Sequence, residues 1–289
     1  MRISEILAKK QTFSFEIFPP KGDMPVQEAL ELCSKLALNE PDFISVTYSA
    51  GGSANSDNTS AIAGVLAEDL NLNPMAHLTC LDATKADVDS YLDALKQRGV
   101  DNVLALRGDP MPGKQHKDFT YASDLISYIK STSPELAVGA ACYLEGHIEC
   151  EDFATSIEHL KIKADAGADF FVSQLFFENE LFLRFREACD RARIKTPICL
   201  GIMPFTSVKK IQRMAFTCGA SIPATVIKRL AAAGDDPMAQ RIAGVRYACE
   251  QLRGLAAEGV DGLHVYVMNR PDVANATHDV LVDCGYLPA

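Results

Sequence analysis

Residues that can do acid–base chemistry stand inside or directly after several short apolar runs. Glu16 lies in the run 12–18, among aromatic and aliphatic neighbours. A carboxyl in apolar surroundings tends to have its ionised form disfavoured, and that property suits a general acid. The sequence leaves a second interpretation equally open, in which Glu16 pairs with a basic residue or faces solvent.

The run 102–106 leads into Arg107-Gly108-Asp109-Pro110. The guanidinium offers a fork for phosphate or carboxylate, the glycine lets backbone approach a ligand closely, and the carboxylate can act on a reacting cation. Residues 108–115 come close to the P-loop pattern. However, Gln115 replaces the Ser or Thr that binds magnesium, and two prolines lack phosphate-binding N–H groups. We therefore predict an anion contact here and no nucleoside triphosphate site.

The six histidines are dispersed along the chain, at positions 77, 116, 147, 159, 264 and 278. They form no H-x-H or H-E-x-x-H pattern, so we expect no catalytic metal. His77 stands alone in an apolar strand, which is more typical of a satisfied core group than of a ligand. Gln174 stands at a strand end where class I aldolase barrels carry a Schiff-base lysine, and this disfavours aldolase chemistry.

Eight short apolar runs alternate with helical patterns along the chain. The predicted strands are 12–18, 43–47, 75–80, 102–106, 136–142, 170–174, 198–202 and 262–267. Near-continuous apolar strands between amphipathic helices indicate a parallel sheet covered by helices. The last interval is about twice as long as the others. Its pattern predicts three helices, over 208–216, 224–232 and 237–258.

Eight strand–helix units over about 250 residues predict a (β/α)8 (TIM) barrel, with extra helices between the seventh and eighth strands. The alternative is a doubly wound open sheet, which favours a G-x-G-x-x-G loop after the first strand. Residues 19–22 read Pro-Pro-Lys-Gly instead. We expect one domain over 1–289, with its chemistry at the C-terminal ends of the strands.

The composition excludes several classes of protein. The 289 residues include 28 Lys and Arg against 38 Asp and Glu, a net charge of −10 that gives no general footprint for nucleic acid. The first residues lack the apolar core of a signal peptide, and no apolar stretch approaches the length of a membrane span. Nine cysteines without close pairs favour reduced structural thiols. We expect a cytoplasmic protein with neither nucleic acid nor membrane as partner.

Eight motifs, in order along the chain, resemble those of the methylenetetrahydrofolate reductase family. They are FSFEIFPPK at 13–21, FISVTY at 43–48, HLTCLDA at 77–83, LALRGDP at 104–110, YASDL at 121–125, GADFFVSQLFF at 167–177, Pro204 and HVYVMNR at 264–270. The resemblance implies a flavin-dependent barrel that reduces 5,10-methylenetetrahydrofolate to 5-methyltetrahydrofolate in one-carbon metabolism. It implies non-covalent FAD, with NADH or NADPH as donor and ping-pong hydride transfer. It also implies a homo-oligomer, and leaves open a partner subunit that supplies electrons.

The resemblance implies roles for individual positions. Glu16 matches the general acid, and Asp109 matches the carboxylate near the flavin and the pterin. Gln174, Tyr266 and Arg270 match positions around the folate or the nicotinamide. The positions expected to hold FAD are Thr47, Tyr48, Ala50, His77, Arg107, Gly108, Asp109, Tyr121, Ala122, Tyr143, His147, His159 and Lys163.

The chain departs from some relatives at positions that matter for these contacts. Ser156, His159 and Ile162 stand where those relatives have Asp, Asn and Arg, which affects the contacts of the FAD ribose and diphosphate. Met214 stands for an aromatic residue and Lys210 for Gln, which affects stacking of folate and nicotinamide. We expect no regulatory domain after the barrel. Two alternatives remain, another flavin barrel oxidoreductase of the proline dehydrogenase type and a non-catalytic barrel subunit.

Overall fold

The computed structural model describes residues 1–19, 26–48, 53–109 and 118–288. The strands in these ranges are β1 Thr12–Ile17, β2 Phe43–Val46, β3 Pro74–Thr79, β4 Asn102–Leu106, β5 Ala137–Cys142, β6 Phe170–Ser173, β7 Ile198–Ile202 and β8 Gly262–Tyr266. They are parallel and pair in chain order, and β8 pairs with β1 to close a barrel. The predicted (β/α)8 barrel is confirmed, and the doubly wound open sheet is wrong.

Helices alternate with these strands. They are α1 Ile3–Leu7, α2 Val26–Ala37, α3 Ser53–Glu68, α4 Lys85–Gln97, α5 Ala122–Thr132, α6 Phe153–Asp165, α7 Asn179–Arg191, α8 Val208–Cys218, α9 Ala224–Ala233, α10 Pro237–Ala257 and α11 Pro271–Asp283. As predicted, α8, α9 and α10 fill the long interval between β7 and β8. None of these helices combines the length and the apolar character that crossing a bilayer requires.

The short helix α1 closes the N-terminal end of the barrel. Ile3 is fully buried and packs with Phe43, Met75 and Phe170, which lie at or near the starts of their strands. The Ile3 backbone N–H donates to Asn102 Oδ1 at 2.7 Å. The sequence pattern does not indicate α1, because five residues are too short to show helical periodicity. Because α1 covers this end in the described ranges, we expect ligands at the opposite, C-terminal end, which is the usual place in such barrels.

The inserted helices pack against the C-terminal end of the barrel. Phe177 and Phe205 meet edge to face with ring centroids 6.3 Å apart, inside an apolar cluster that includes residues of α8 and α9. A Cβ at Gly244 would overlap the Phe205 carbonyl, so glycine lets α10 approach closely. Met214 of α8 and Tyr266 of β8 pack on the same cluster. This packing holds α8 beside the ends of the strands.

Candidate active site

The pairing of β1 with its two neighbours brings Glu16 to the open end of the barrel. Glu16 lies opposite Ser45 of β2 on one side and opposite Tyr266 of β8 on the other. Side chains alternate along a strand, so Phe15 and Ile17 join the apolar layer beneath the helices while Glu16 faces the barrel interior. The apolar residues next to Glu16 in sequence are therefore not its surroundings in space.

Four side chains meet at this point, and we call Glu16, Ser45, His77 and His264 the Glu16 cluster. Ser45 Oγ donates to Glu16 Oε2 at 3.3 Å. The same oxygen lies 3.5 Å from His77 Nε2 and 3.6 Å from His264 Nε2. Glu16 thus lies beside two imidazoles, as the second interpretation expects, and its role as a general acid stays a prediction.

Two opposing effects act on the pKa of Glu16. Burial raises it, but the hydrogen bond to His264 and the charges of His77 and His264 together lower the pKa below its ordinary value. This direction is opposite to the one that the apolar sequence context indicates, because Glu16 meets polar side chains in space. Burial lowers the pKa of His77, whereas the Glu16 carboxylate acts in the opposite direction.

His77 is not the satisfied core group that its sequence context favours. Its side chain is almost fully buried, yet Nε2 has no hydrogen-bond partner within the described ranges. It also lies in the Glu16 cluster rather than along the cavity described below, although the resemblance assigns it to FAD. A buried unpaired nitrogen beside a carboxylate is costly unless a proton or a ligand engages it.

The Arg107 side chain already holds an anion. Its Nη1 donates to Glu149 Oε2 at 2.5 Å, which lowers the pKa of Glu149. Gly108 has φ of +82°, and a Cβ there would lie 2.9 Å from Thr79 Cβ, so both backbone angle and space require glycine. The anion at Arg107 is here a carboxylate of the same chain, and the predicted contact with a ligand anion stays a prediction. Glu149 carried no signal in the sequence beyond its acidic type.

A cavity of about 440 Å³ opens between the ends of β4 and β5 and the helices α5 and α6. Its volume is typical of a pocket for a small-molecule ligand. The structure brings together along its walls seven residues that the resemblance assigns to FAD: Arg107, Tyr121, Ala122, Tyr143, His147, His159 and Lys163.

Lys163 places a second cation in this cavity. Its Nζ donates to the Ala141 carbonyl at 2.5 Å and lies 5.5 Å from the centre of the Tyr143 ring. Burial lowers the pKa of Lys163 and also that of His147, since both ammonium and imidazolium lose water contacts. An anionic group entering the cavity would favour the charged forms of both.

Three of the five positions at which the chain departs from some relatives also line this cavity. Ser156 Oγ accepts the His147 backbone N–H at 3.2 Å. His159 Nδ1 lies 3.4 Å from Cys150 Sγ. The Ile162 side chain is half exposed and offers the cavity no charge or hydrogen bond. This wall is therefore less polar than the motif of those relatives implies.

The residues assigned to folate or nicotinamide lie at the same end of the barrel. Gln174 Oε1 accepts the N–H of the next residue at 2.9 Å. The Tyr266 hydroxyl donates to the Ser173 carbonyl at 2.6 Å, which fixes its ring across the barrel end. Arg270 precedes α11, and its Nε lies 3.4 Å from the carboxylate of Asp272.

The other predicted residues have fewer distinctive contacts. Thr47 and Tyr48 follow β2, where the Thr47 carbonyl accepts the Thr59 hydroxyl at 3.0 Å and Tyr48 packs edge to face on a tyrosine of α4. Asp109 is exposed at the end of a described range. Ala50, also assigned to FAD, lies outside the described residues.

Ser45 and His264 are the site residues to which the sequence assigned no role. Alternation along β8 puts His264 on the same side as Tyr266, so the strand pattern contains a signal for it. His264 is fully buried, and its ring stacks on Phe43 at 5.6 Å between centroids. Ser45 has no such signal, because serine is common in strands of any role.

The closed barrel, with its polar cluster and cavity at the C-terminal strand ends, places the chain among (β/α)8 barrel proteins that bind ligands at that end. The chain belongs to the methylenetetrahydrofolate reductase family, whose model matches residues 2–282. No group of three metal-binding side chains in the described ranges is arranged to hold an ion.

Two relatives illustrate the extent of the match. Methylenetetrahydrofolate reductase (NADH) 1 of Arabidopsis thaliana is 35% identical in an alignment 284 positions long that covers 93% of this chain and 48% of that protein. 5,10-Methylenetetrahydrofolate reductase of Escherichia coli (strain K12) is 33% identical over 263 residues, 91% of this chain and 88% of that one. The chain thus spans about half the length of the plant relative and most of the bacterial one.

Solved structures with low sequence identity share the fold. An uncharacterized protein from Clostridium thermocellum, described as binding two copies of 5-methyl-5,6,7,8-tetrahydrofolic acid, superimposes with a TM-score of 0.67 at 15% identity. The match covers 99% of each chain. Dihydropteroate synthase from Xanthomonas albilineans gives 0.55 at 14% identity, covering 97% of this chain and 94% of that one. At such identities the likeness shows the fold alone.

Proposed function

We propose that this chain is a flavin-dependent 5,10-methylenetetrahydrofolate reductase that uses NADH or NADPH and produces 5-methyltetrahydrofolate. The observation that carries the proposal is Glu16, a carboxyl held by hydrogen bonds at the barrel end, beside a cavity with cationic and aromatic walls. Both places lie at the C-terminal ends of the strands, Glu16 near the end of β1 and Tyr143 directly after β5. Family membership supports the class of reaction.

The cavity chemistry fits FAD bound without a covalent bond. A diphosphate needs cations or N–H donors, and Arg107 and Lys163 supply two cations on neighbouring walls. Tyr121 and Tyr143 supply aromatic surface. FAD supplies the hydride-transfer chemistry, and the protein supplies binding, orientation and the proton.

Glu16 supplies a proton that the folate reaction requires. Methylenetetrahydrofolate has a closed five-membered ring, which must open before a hydride can add to the one-carbon unit. Glu16 donates its proton to N10, the bond between N10 and the one-carbon unit breaks, and an iminium cation forms at N5. The Asp109 carboxylate stabilises that cation by its charge. Gln174, Tyr266 and Arg270 hold the folate and the nicotinamide, which bind in turn in a ping-pong sequence.

An anaerobic titration of the purified protein tests the proposal. FAD is added and unbound flavin removed, and the absorbance of the bound flavin is followed while NADH or NADPH is added. We expect the flavin bands to bleach with at least one donor. Methylenetetrahydrofolate should then restore them, with one equivalent of 5-methyltetrahydrofolate formed per flavin.

Tetrahydrofolate is the matched control, because it lacks the one-carbon unit that accepts the hydride. It should leave the flavin reduced. The proposal is wrong if micromolar FAD does not bind, or if methylenetetrahydrofolate fails to reoxidise a flavin that the nicotinamide has reduced. Reoxidation by an imine of the proline dehydrogenase type, and not by the folate, would assign the barrel to a different oxidoreductase.

A further inference from the structure

The backbone ladder between β6 and β7 stops one step before the end of β6. The Phe171 N–H donates to the Pro197 carbonyl at 2.8 Å. Because the bonds of a parallel ladder recur every two residues, the Ser173 carbonyl at the end of β6 would be expected to accept the Gly201 N–H. The registered pairs of the two strands do not extend to these residues.

Side chains replace this last backbone bond. The Gly201 N–H donates to Ser173 Oγ at 2.8 Å instead. Ser173 Oγ uses its one proton to donate to the Gln174 carbonyl at 3.0 Å, so its lone pairs are free to accept. The Ser173 carbonyl accepts the Tyr266 hydroxyl at 2.6 Å. The Ser173 hydroxyl thus replaces its own carbonyl as the acceptor for β7, and the carbonyl is left for Tyr266.

Gly201 provides the space that Tyr266 needs to reach β6. Tyr266 belongs to β8, and β7 lies between β8 and β6 in the barrel. The Tyr266 side chain must therefore cross β7 to reach Ser173. A Cβ at Gly201 would overlap both the Tyr266 hydroxyl and the Ser173 carbonyl, so the crossing requires glycine at this position.

The crossing holds the Tyr266 ring beside the proposed acid. Glu16 lies opposite Tyr266 in the pairing of β1 with β8. The Tyr266 ring also meets the His264 ring edge to face, with 5.5 Å between centroids. Burial raises the pKa of Tyr266 well above its ordinary value, so the hydroxyl keeps the proton that it donates. A shift of this ring would change the shape of the barrel end next to Glu16.

We propose that Ser173 and Gly201 are positioning residues for the folate and nicotinamide site, because together they hold the Tyr266 ring across the end of β7. The proposal rests on the proposed function for the ligands that meet this ring. The position of the ring rests on the ligand-free contacts of β6, β7 and β8.

The hydrogen bonds predict what happens without the Ser173 hydroxyl. A buried N–H without an acceptor is costly, so the Gly201 N–H must find another one. The regular ladder offers the Ser173 carbonyl, which is the oxygen that holds Tyr266. In Ser173→Ala, Gly201 and the Tyr266 hydroxyl therefore compete for one carbonyl, and the ring loses its fixed position.

Stopped-flow reoxidation of the reduced flavin, over a range of methylenetetrahydrofolate concentrations, tests the proposal. In Ser173→Ala we expect the folate concentration at half the limiting rate to rise about fivefold, the effect of one neutral hydrogen bond. The limiting rate should stay within about threefold of the wild type, because Glu16 is untouched. Ser173→Thr retains the hydroxyl and should restore most of the affinity.

The Tyr266→Phe variant separates positioning from a general loss of stability. It removes the hydroxyl that the Ser173 carbonyl holds. If Ser173 acts through Tyr266, adding Ser173→Ala to Tyr266→Phe should raise the half-saturating folate concentration much less than adding it to the wild type. Equal factors in the two backgrounds would overturn the proposal.

Thr277→Val is the matched control for the loss of a buried hydroxyl. Thr277 is fully buried in α11, and its hydroxyl donates to the Val273 carbonyl at 3.0 Å. This variant should lower the free energy of unfolding and leave the half-saturating folate concentration at the wild-type value. A rise equal to that of Ser173→Ala would show that the kinetic effect is a general consequence of lost stability.

Fluorine NMR of the ligand-free protein gives a readout that does not depend on turnover. In protein labelled with 3-fluorotyrosine, the resonance that Tyr266→Phe removes belongs to Tyr266. We expect this resonance to move in Ser173→Ala and in Gly201→Ala, and to keep its position in Thr277→Val. An unchanged resonance in either of the first two variants, once folded, would overturn the proposal.

Failure of the proposed function would look different from failure of this inference. If the chain is not a folate reductase, methylenetetrahydrofolate does not reoxidise the wild-type flavin at any concentration. The fluorine resonance of Tyr266 would still decide whether Ser173 and Gly201 position the ring.

Discussion

We propose that the Arg107 guanidinium binds a phosphate of FAD. In the ligand-free protein it forms a salt bridge with the Glu149 carboxylate. The Arg107–Glu149 pair is half exposed, so its own net contribution to stability is small. A diphosphate carries more charge than a carboxylate and can displace Glu149 with little loss. Substitutions at Arg107 and at Glu149 should therefore change FAD affinity in opposite directions.

Replacing Arg107 by alanine should weaken FAD binding. A hydrogen bond between charged partners contributes roughly 1.5–3 kcal/mol, which corresponds to about 10–150-fold in the dissociation constant. Quenching of flavin fluorescence during titration of the apoprotein measures this directly. An unchanged affinity would place Arg107 outside the FAD site.

The Glu149→Gln variant is the matched partner of that experiment. It removes the competing charge, keeps the size of the side chain and leaves Arg107 in place. We expect FAD to bind more tightly than to the wild type, by a few-fold. Weaker binding would mean that Glu149 orients Arg107 for the phosphate rather than competing with it.

At the scale of the elements, hydrophobic periodicity was sufficient to predict the barrel but not the direction of each side chain. Runs such as 102–106 and 198–202 coincide with β4 and β7 because a strand buried on both faces reads as a continuous apolar run. In β1 the apolar sequence neighbours of Glu16 point to the opposite face of the sheet, which the sequence run does not reveal. Glu16 itself faces His77 and His264. Contacts made across four strands have no trace in the local sequence.

The loop after β4 has a backbone conformation that requires glycine at position 108. In Gly108→Ala, alanine must adopt a strained positive φ, and its Cβ overlaps the Thr79 side chain. Gly99→Ala is a matched control, since φ there is +66° and nothing lies within 4 Å of the added Cβ. Each substitution should cost about 1 kcal/mol for the backbone angle, and Gly108→Ala should cost more.

Denaturant unfolding and FAD titration of both variants separate the two effects. Gly99→Ala should keep the wild-type FAD affinity, and Gly108→Ala should lose affinity because the loop carrying Arg107 must shift. If the two variants lose equal stability and both keep FAD, the close packing of the loop on β3 has no role in the site.

At the scale of the whole molecule, buried thiols should make the free energy of unfolding depend on pH in the alkaline range. All nine cysteines are free, and burial raises the pKa of Cys33, Cys80, Cys189 and Cys199 to about 12. An unfolded thiol titrates near about pH 8.5, so above that pH the folded chain binds more protons than the unfolded chain. The contribution of these thiols to the free energy of unfolding should therefore be constant below about pH 8 and fall as pH rises toward 12.

Urea unfolding at pH 7.5 and at pH 9.5 checks this dependence. Each thiol that stays protonated in the folded protein should lower the free energy of unfolding by about 1.4 kcal/mol for every pH unit above the pKa of the unfolded thiol. Cys33→Ala should reduce the slope, whereas Cys284→Ser, at an exposed position, should leave it unchanged. Equal stability at the two pH values would show that the buried thiols ionise in the folded protein.

The central claim is that Glu16 supplies the proton that opens the folate ring, and the Glu16→Gln variant tests it most directly. Stopped-flow absorbance follows the two half-reactions separately, flavin bleaching by the nicotinamide and flavin reoxidation by methylenetetrahydrofolate. Hydride transfer from the nicotinamide needs no proton from Glu16, so the first rate should stay within about twofold of the wild type. General acid catalysis contributes about 10²–10⁴-fold, so the second rate should fall at least about a hundredfold.

Glu145→Gln is the matched control, because Glu145 is another carboxyl after β5 and it accepts the Ser221 backbone N–H at 3.0 Å without contacting the Glu16 cluster. That variant should leave both rates unchanged. If Glu16→Gln slows both half-reactions equally, Glu16 positions the flavin and is not the acid. If it slows neither, the proton comes from another group, and the account of this site is contradicted.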